Sequence, residues 1–265
     1  MSISGPLPQL TPPQAPPLYD YPLWYERAFS WRRPRWEAAR LLDFARPHAQ
    51  RPLQQVIELY AGPAVHGPHL QALGLQYVGV DCNPQMLARA RGRGMTMVEG
   101  DALAPRRLGH CDLLLCLLGS LVVANGRELQ RHLRQTARMV RPGGIYLLEW
   151  CVQGGEPAIL HDHWKRRRAD YWLEVDFCSI PDVHGEHYTE RLLLQGEDAE
   201  GPIRLCQRQR GWMVTPAALR RLCGAASPWE CLGSWDRWDP DRPLSDEQAG
   251  QRPMTVLRRR REDPC

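Results

Sequence analysis

Apolar runs of strand length alternate with amphipathic segments of helical period between residues 55 and 150. The runs that predict strands are 56–60, 77–81, 96–99, 111–117 and 145–150. Between them, apolar residues recur three and four positions apart, as they do on one face of a helix. Repeated β-α units of this kind predict an α/β fold with a doubly wound, mostly parallel sheet and right-handed crossovers.

The pattern changes after Trp150, where strand-like runs follow one another without helices between them. These runs cover 171–177, 187–194 and 203–209 and predict a β-rich insertion over about 151–210.

The last part of the chain returns to the central sheet. A helix capped by Thr215-Pro216 ends at Gly224, and two further strands follow at 229–235 and 253–258. We expect these strands to form an antiparallel hairpin at one edge, which completes a Rossmann-like sheet of seven strands.

The N-terminal part of the chain divides into a leader and an aromatic segment. Residues 1–17 are rich in proline, uncharged and without periodicity, which predicts a disordered leader before one domain over 18–265. Aromatic residues crowd the start of that domain: Tyr19, Tyr21, Trp24, Tyr25, Phe29, Trp31 and Trp36. They predict either a helix that packs a wide face on the sheet or a flap over a bound ligand.

Composition narrows the class of protein further. The 265 residues are 43% hydrophobic, enough for the core of one large α/β domain, and the net charge of +4 is spread over both signs, which disfavours a nucleic-acid partner. The nine cysteines include no C-x-x-C pair, so neither a disulfide framework nor a zinc ribbon is predicted. No run approaches the ~18–20 apolar residues of a membrane span, and no secretory signal precedes the domain. We therefore expect a cytoplasmic protein without a membrane partner; the sequence carries no signal for an oligomeric state.

The first two strands carry the clearest sign of a ligand site. The first ends in Glu58 and opens into a loop of small residues around Gly62, and the second ends in Asp81. In a doubly wound sheet, ligands bind at the carboxyl ends of the strands, and an acid after the second strand accepts hydrogen bonds from a ribose. The spacing therefore predicts a nucleotide-type ligand between these residues.

Five short motifs resemble those of class I S-adenosylmethionine-dependent methyltransferases, in a match that runs from about residue 19 to residue 258. The motifs occupy 58–64, 77–87, 98–102, 111–117 and 140–145. Each motif alone is weak, but five in the family's order and spacing are specific. The resemblance implies methyltransferase activity with S-adenosyl-L-methionine as cofactor.

The resemblance also implies a cofactor site, to which the aromatic segment adds Tyr25. The predicted cofactor-binding residues are Tyr25, Glu58, Tyr60, Gly62, Asp81, Cys82, Met86, Asp101, Ala102, Leu117 and Leu118. Asp81 would accept both ribose hydroxyls, and Cys82 and Met86 would lie beside the adenine. Asp101 and the Ala102 backbone would contact the adenine amino edge, and the two leucines would close the opposite face.

The first motif departs from the family pattern at two places. Tyr60 and Ala64 stand where glycines are usual, which leaves Gly62 alone. We expect Ala64 to be tolerated with a negative φ, and Tyr60 to keep extended strand backbone with its side chain toward the pocket.

The class of methyl acceptor is predicted mainly from sequence motifs that this chain lacks. Residues 118–122 lack the Asp/Asn-Pro-Pro-aromatic sequence of enzymes that methylate planar amino groups, and the chain lacks a Pro-Cys nucleophile. We therefore expect in-line methyl transfer to a nitrogen or oxygen atom of a small molecule. The insertion lies where the family builds its substrate lid, and His161 and Tyr188 in it are candidates to take a proton.

Two features of the insertion allow other interpretations. The pairs His161-x-His163 and His184-x-x-His187 could hold a metal, but no Cys or carboxylate stands at matching spacing, so no metal is predicted. The basic run at 165–168 could hold an anionic substrate, and it equally fits solvated charge.

Two further functions stay open at this point. The missing glycines motivate a catalytically inactive, cofactor-binding or scaffold relative. A nicotinamide dehydrogenase would share the acid after the second strand, but it requires a G-x-G-x-x-G loop after the first, which this chain lacks.

Overall fold

The computed structural model describes residues 15–105 and 109–261. The predicted leader, 1–17, therefore lies outside the described residues apart from its last three. One of these, Pro16, belongs to the fold, because its carbonyl oxygen accepts a hydrogen bond from the Cys206 N–H at 3.0 Å.

The strands of the described residues form two sheets. They are β1 Gln55–Leu59, β2 Gln76–Asp81, β3 Met97–Glu99, β4 Cys111–Cys116, β5 Val140–Glu149, β6 Leu160–Arg167, β7 Tyr171–Pro181, β8 His187–Asp198, β9 Gly201–Trp212, β10 Trp229–Trp235, β11 Pro243–Leu244 and β12 Met254–Arg259. The central sheet has the order β11-β10-β12-β5-β4-β1-β2-β3, and the second sheet has the order β6-β7-β8-β9. Strands β1 to β5 run parallel, whereas β12 is antiparallel to both β5 and β10.

The α-helices connect these strands and cover the central sheet. They are α1 Pro22–Ala28, α2 Pro34–Ala45, α3 Gly67–Ala72, α4 Pro84–Arg91, α5 Gly126–Ala137 and α6 Pro216–Leu222. The side chains of Asn83, Asn125 and Thr215 cap α4, α5 and α6 by accepting hydrogen bonds from first-turn N–H groups. One hydrophobic cluster packs α2, α3 and α4 on one face of the sheet, and a second packs α5 and α6 on the other.

The predicted fold class is confirmed. The molecule is α/β with a mostly parallel central sheet, an antiparallel edge and a separate β-rich sheet. The central sheet has eight strands rather than seven, because the two-residue strand β11 pairs with the end of β10. Strand β4 is buried along its whole length, as its almost entirely apolar run predicts. Among the described helices, none is both long and apolar enough to cross a membrane.

The second sheet is longer than the predicted insertion strands indicate. Its first strand, β6, is mostly exposed and polar, so hydrophobic periodicity gives no sign of it. One face, which we call the inner face, packs against the N-terminal segment. The contacts join Leu173, Val175, Leu192, Leu194 and Leu205 to Leu18, Trp24 and Ala28.

Backbone hydrogen bonds attach the second sheet to the central one. The Trp212 N–H donates to the Val123 carbonyl at 2.7 Å, and the Gln153 N–H donates to the Val214 carbonyl at 2.9 Å. Val123 follows β4 and Gln153 follows β5 in the chain. The start of β8 and the end of β9 therefore lie beside the carboxyl ends of the central strands.

Candidate functional site

The loop after β1 follows a left-handed path at alternate residues. The φ angles are 54° at Tyr60, 53° at Gly62 and 52° at Ala64. The expectations of an extended Tyr60 and a negative φ at Ala64 are therefore wrong. The loop keeps the backbone that glycine prefers and imposes it on two other residues, at about 1–2 kcal/mol each.

Asp81 anchors this loop from the end of β2. Its Oδ2 accepts a hydrogen bond from the Gly62 N–H at 2.8 Å, and its Oδ1 accepts one from the Asn83 N–H at 2.9 Å. A carboxylate offers about four lone-pair positions, so each oxygen can accept a further hydrogen bond from a ligand. These two hydrogen bonds therefore fix the Asp81 carboxylate in place and leave about half of its acceptor positions free for a ligand.

The residues predicted around the adenine differ in exposure. Met86 is buried under the loop, with its Sδ 3.9 Å from where a Cβ on Gly62 would lie, whereas Cys82 is exposed. Asp101 is exposed and accepts a hydrogen bond from the Leu103 N–H at 2.9 Å, and Ala102 is buried. These side chains follow β2 and β3, at the same edge as Asp81.

The Tyr60 side chain belongs to the same edge. Burial raises the pKa of its hydroxyl, and the nearby Cys116 and Asp101 add to this effect. Tyr60 therefore lies near residues that follow β3 and end β4, and its contact with a cofactor stays a prediction.

The ends of β4 and β5 are also held in unusual backbone conformations. Leu118 and Trp150 both have a φ of 57°, and Leu117 beside them is buried. The Leu118 N–H donates to Oε2 of Glu149 at 3.0 Å, and the Gly119 N–H donates to the Glu149 carbonyl at 2.8 Å. Strained backbone of this kind gathers at functional sites, and here it marks the carboxyl edge of the central sheet.

A cluster of charged side chains, which we call the buried ion network, lies behind this edge. It consists of Arg32, Glu37, Glu58, His66, Glu149 and Arg252. The three acids and His66 are each at most 4% exposed. Charges enclosed to this degree persist only when they are paired, so the geometry of the pairing decides what the network does.

His66 joins two acids of the buried ion network. Its Nδ1 lies 3.0 Å from Oε1 of Glu58, and its Nε2 lies 3.0 Å from Oε2 of Glu37. Arg32 Nη2 lies 2.8 Å from the same Nε2 and 3.0 Å from the shared Glu37 oxygen. The Tyr77 hydroxyl donates to the other oxygen of Glu58 at 2.6 Å. The acid of the first motif is thereby held by His66, which precedes α3, and by Tyr77 on β2.

Arg252 carries the buried ion network on to the next strands. Its Nη2 donates to Oε1 of Glu37 at 3.0 Å, and its Nε donates to Glu149. Its guanidinium also lies over the ring of Trp238, 4.3 Å from the centroid. Through Glu149 and the Leu118 N–H, the buried ion network reaches the end of β4.

The pairing shifts the pKa values of His66 and Glu37 in the buried ion network. Burial favours neutral His66, as does Arg32, but Glu58 and the hydrogen bonds to Glu37 outweigh them and raise the pKa of His66. Burial likewise favours protonated Glu37, yet the hydrogen bond to His66 and the charges of Arg32 and Arg252 hold the pKa of Glu37 well below its usual range. His66 is therefore held between two carboxylates, with Glu58 at Nδ1 and Glu37 at Nε2.

Two tyrosines of the N-terminal segment face this edge. The ring centroids of Tyr19 and Tyr25 are 6.0 Å apart. Burial raises the pKa of Tyr25 to about 12, against the effect of Arg32 and with support from Asp81. Tyr19 is 38% exposed as a residue, yet burial of its hydroxyl raises its pKa, with contributions from Tyr25, Glu190 and Asp81. The two tyrosines therefore lie between the end of β2 and the second sheet.

The two residues predicted to take a proton lie on opposite faces of the second sheet. His161 is exposed on the outer face, where its Nε2 lies 2.8 Å from Oδ2 of Asp176. Tyr188 is buried on the inner face, where Glu190 and Cys151 add to the effect of burial in raising its pKa. The structure thus brings Tyr188, and not His161, toward the carboxyl edge. Within 15–105 and 109–261, no three His, Cys, Asp or Glu side chains are grouped so as to hold a metal.

Sequence reasoning missed most of the buried ion network. Arg32, Glu37, His66, Glu149 and Arg252 are drawn from four separate parts of the chain, and Glu37 and Arg252 are 215 residues apart. A usable signal existed only for Glu149, which ends an apolar strand as Asp81 does.

Comparisons with known proteins agree with this geometry. Residues 56–144 match the family model described as Methyltransferase domain. No curated protein matches the chain. The predicted resemblance to class I S-adenosylmethionine-dependent methyltransferases is confirmed by this match together with the fold.

Many solved structures share the fold at low sequence identity. An S-adenosylmethionine-dependent methyltransferase from Clostridium acetobutylicum is 11% identical with a TM-score of 0.70, covering 92% of this chain and 99% of its own. An amino pentose methyltransferase from Micromonospora echinaspora, solved with S-adenosylmethionine, is 20% identical with a TM-score of 0.66, covering 89% and 96%. A sugar N-methyltransferase from a Streptoalloteichus species is 19% identical with a TM-score of 0.66, covering 98% and 100%. Identities this low establish the fold alone.

Proposed function

We propose that the chain is an S-adenosylmethionine-dependent methyltransferase that transfers a methyl group to a nitrogen or oxygen atom of a small molecule. The observation that carries the proposal is Asp81 at the end of β2, bonded to Gly62 in the left-handed loop after β1. This is the arrangement by which an open α/β sheet holds an adenosine ribose beside a close-approaching backbone.

The residues at the carboxyl edge fit the cofactor in charge and shape. The free lone pairs of Asp81 suit two ribose hydroxyls. Met86 offers a soft apolar wall for a flat ring, and Ala102 and Leu117 are buried apolar neighbours. The loop keeps the left-handed path even with Tyr60 and Ala64 in place of glycine. This supports an intact site over an eroded one.

Arg32 is the side chain that would hold the carboxylate of the methionine portion. The charge of Arg32 lowers the pKa of Tyr25. The pKa of Arg32 itself is raised, despite burial, by Glu149, Glu37, Tyr25 and Glu58. The Nε of Arg32 donates to Oε2 of Glu37 at 3.1 Å and its Nη2 lies 3.0 Å from the same oxygen, so Nη1 would be the donor to the methionine carboxylate. In this proposal the buried ion network sets the position of Arg32 and of the loop after β1 together.

The chemistry asks little of the protein beyond positioning. When bound, the cofactor supplies a methyl group on a sulfonium sulfur, which an acceptor nitrogen or oxygen displaces in line. The chain would hold the acceptor in reach, exclude water and take a proton. The second sheet is proposed as the acceptor lid, because its attachment to Val123 and Gln153 sets its inner face beside the strand ends. The similar structures of an amino pentose and a sugar N-methyltransferase support a small acceptor.

Calorimetry with S-adenosylhomocysteine tests the proposal. We expect saturable binding to the full chain and no binding of NADH, which a nicotinamide dehydrogenase would bind. Radiolabelled S-adenosylmethionine then distinguishes an enzyme from an inactive relative by label transfer to matched amines, alcohols, phenols and carboxylates. Failure to bind S-adenosylhomocysteine would overturn the proposed function.

A further inference from the structure

The inner face of the second sheet has an apolar end and a polar end. Its apolar leucines and valine pack against α1. The alternation of side chains along β8 and β9 places Tyr188, Glu190, Gln207 and Gln209 on the same face at the other end. This polar end adjoins the loops after β4 and β5, so it faces the carboxyl edge of the central sheet.

Glu190 is a half-buried carboxylate with no counter-charge among the described residues. Gln209, directly opposite on β9, donates a side-chain hydrogen bond to its Oε2. No basic side chain in the described part of the chain forms an ion pair with Glu190. A partly enclosed carboxylate with only an amide partner is costly, and a bound cation would offset that cost. Burial accordingly raises the pKa of Glu190 despite the hydrogen bond.

Gln207 provides an independent sign of a missing donor. Its Oε1 is enclosed by protein atoms, yet it has no hydrogen-bond partner among the described residues. Gln207 lies on the same face as Gln209, two positions along β9, and so diagonally opposite Glu190. A buried acceptor without a donor costs about 1–3 kcal/mol, so such groups are normally satisfied. A ligand that donates several hydrogen bonds would satisfy both side chains.

Two tyrosines connect Glu190 to the cofactor edge. The charge of Glu190 raises the pKa of Tyr19, and so does that of Asp81. Glu190 also raises the pKa of Tyr188, as does Cys151, which follows β5. Glu190 therefore lies on the side of the second sheet that faces the strand ends, near two tyrosines whose rings suit a cation.

We propose that Glu190, with Gln207 and Gln209, binds the amino group of the methyl acceptor and takes the proton that this group must lose. The inference rests on the proposed function and narrows its substrate class to small molecules with a basic primary or secondary amine. A protonated amine matches the site because it has two or three N–H donors and a positive charge, whereas a hydroxyl has one donor and no charge.

The proton balance of the step is simple. A protonated amine has no lone pair, so it first gives one proton to the Glu190 carboxylate. The neutral nitrogen then forms a bond to the methyl carbon as the carbon–sulfur bond breaks and its electron pair stays on sulfur. The products are a protonated methylated amine and a neutral thioether, and the proton on Glu190 passes to water.

The test compares E190Q with E197Q in the full-length protein. Glu197 is the matched control, because it lies on the same strand but is exposed on the opposite face. Each variant is assayed with radiolabelled S-adenosylmethionine against aliphatic amines paired with alcohols of the same skeleton, such as 2-phenylethylamine with 2-phenylethanol and D-glucosamine with D-glucose. S-adenosylhomocysteine affinity is measured in parallel.

We expect the wild type and E197Q to label amines and not their paired alcohols. E190Q should lose at least a hundredfold in kcat/KM while its affinity for S-adenosylhomocysteine stays within threefold. Label on the alcohols, an E190Q variant within threefold of wild type on amines, or no labelled amine from a protein that binds S-adenosylhomocysteine would each overturn the inference. Only the loss of S-adenosylhomocysteine binding would overturn the proposed function as well.

A stability measurement supplies a second readout that needs no acceptor. If Glu190 is held as an uncompensated charge, E190Q should raise the melting temperature at pH 7 by about 2–4 °C, the shift expected for about 1 kcal/mol in a domain of this size. A carboxylate that merely supported the sheet would give a lower melting temperature in E190Q, and that result would also contradict the proposal.

Discussion

The carboxyl edge of the central sheet and the inner face of the second sheet treat their acids in opposite ways. At the central edge, Glu37, Glu58 and Glu149 are enclosed and each is paired with a cation or a histidine. On the inner face, Glu190 has an amide partner and no cation in the described residues. The first region has its charges balanced before any ligand binds, whereas the second keeps one charge for a ligand to balance. This difference suits a cofactor site that binds the same molecule in every turnover and an acceptor site that must select its ligand by charge.

The largest expected effect is on cofactor binding at the central edge. Replacing Asp81 by Ala removes the proposed ribose acceptor and the anchor of the Gly62 N–H. Hydrogen bonds to a charged group contribute about 1.5–3 kcal/mol each, so we expect D81A to bind S-adenosylhomocysteine at least a hundredfold more weakly in calorimetry. E99A is the control, because Glu99 is exposed, ends β3 and pairs in register with Asp81. Equal losses in the two variants would contradict the assignment of the ribose site to Asp81.

The next effect is on stability, through the buried ion network. E37Q leaves Arg32, His66 and Arg252 without their shared counter-charge, so its free energy of unfolding should fall by about 3–5 kcal/mol in urea titrations. The partly exposed pairs of Glu26 with Arg89 and Arg93 offer the contrast, and E26Q should cost about 1 kcal/mol or less. Similar losses in both would mean that enclosure adds nothing to the pairing.

The buried ion network should also make the stability of the protein depend on pH, through His66. The pKa of His66 is raised in the folded protein by Glu58 and Glu37, despite burial and Arg32. Its contribution to stability is therefore complete below the ordinary histidine pKa of about 6.5 and is lost as the pH rises through the raised value. We expect the free energy of unfolding of the wild type to decline above pH 6.5, and H66N to lose that decline. A slope that H66N leaves unchanged would assign it to another group.

The smallest effect is expected in the loop itself. A64G relieves the strain of a left-handed alanine, which stabilises the fold by about 1–2 kcal/mol. It also gives the unfolded chain more conformational freedom, which costs about 0.5–1 kcal/mol. The free energy of unfolding should therefore change by less than about 1 kcal/mol, and S-adenosylhomocysteine affinity should hold. Ala61, in the same loop with an ordinary φ, is the control, since A61G has only the cost. A large loss in A64G alone would show that its buried methyl, and not the backbone, decides the site.

The sequence predicts the central sheet better than the site behind it. Strands such as β4 and helix starts such as Asn83-Pro84 follow from local pattern, and all of the predicted central elements are present. Strand β6 escapes prediction because it is polar and exposed, and β11 because it has only two residues. The buried ion network escapes because its members meet only after the chain has folded. The backbone at Tyr60 and Ala64 escapes because residue type alone favours a negative φ, which tertiary contacts override here.

The position of Arg252 in the chain determines when the central edge can form during synthesis. It contacts Glu37 from 215 positions further along the chain and Glu149 from 103. A ribosome releases the helix with Glu37 first and the guanidinium that neutralises it only 215 residues later. Until then, both acids lack that counter-charge and α2 lacks a partner that fixes it over the central edge. Completion of the cofactor half is thereby tied to synthesis of the segment with Arg252, so a product that stops before this segment should be unable to form a finished site.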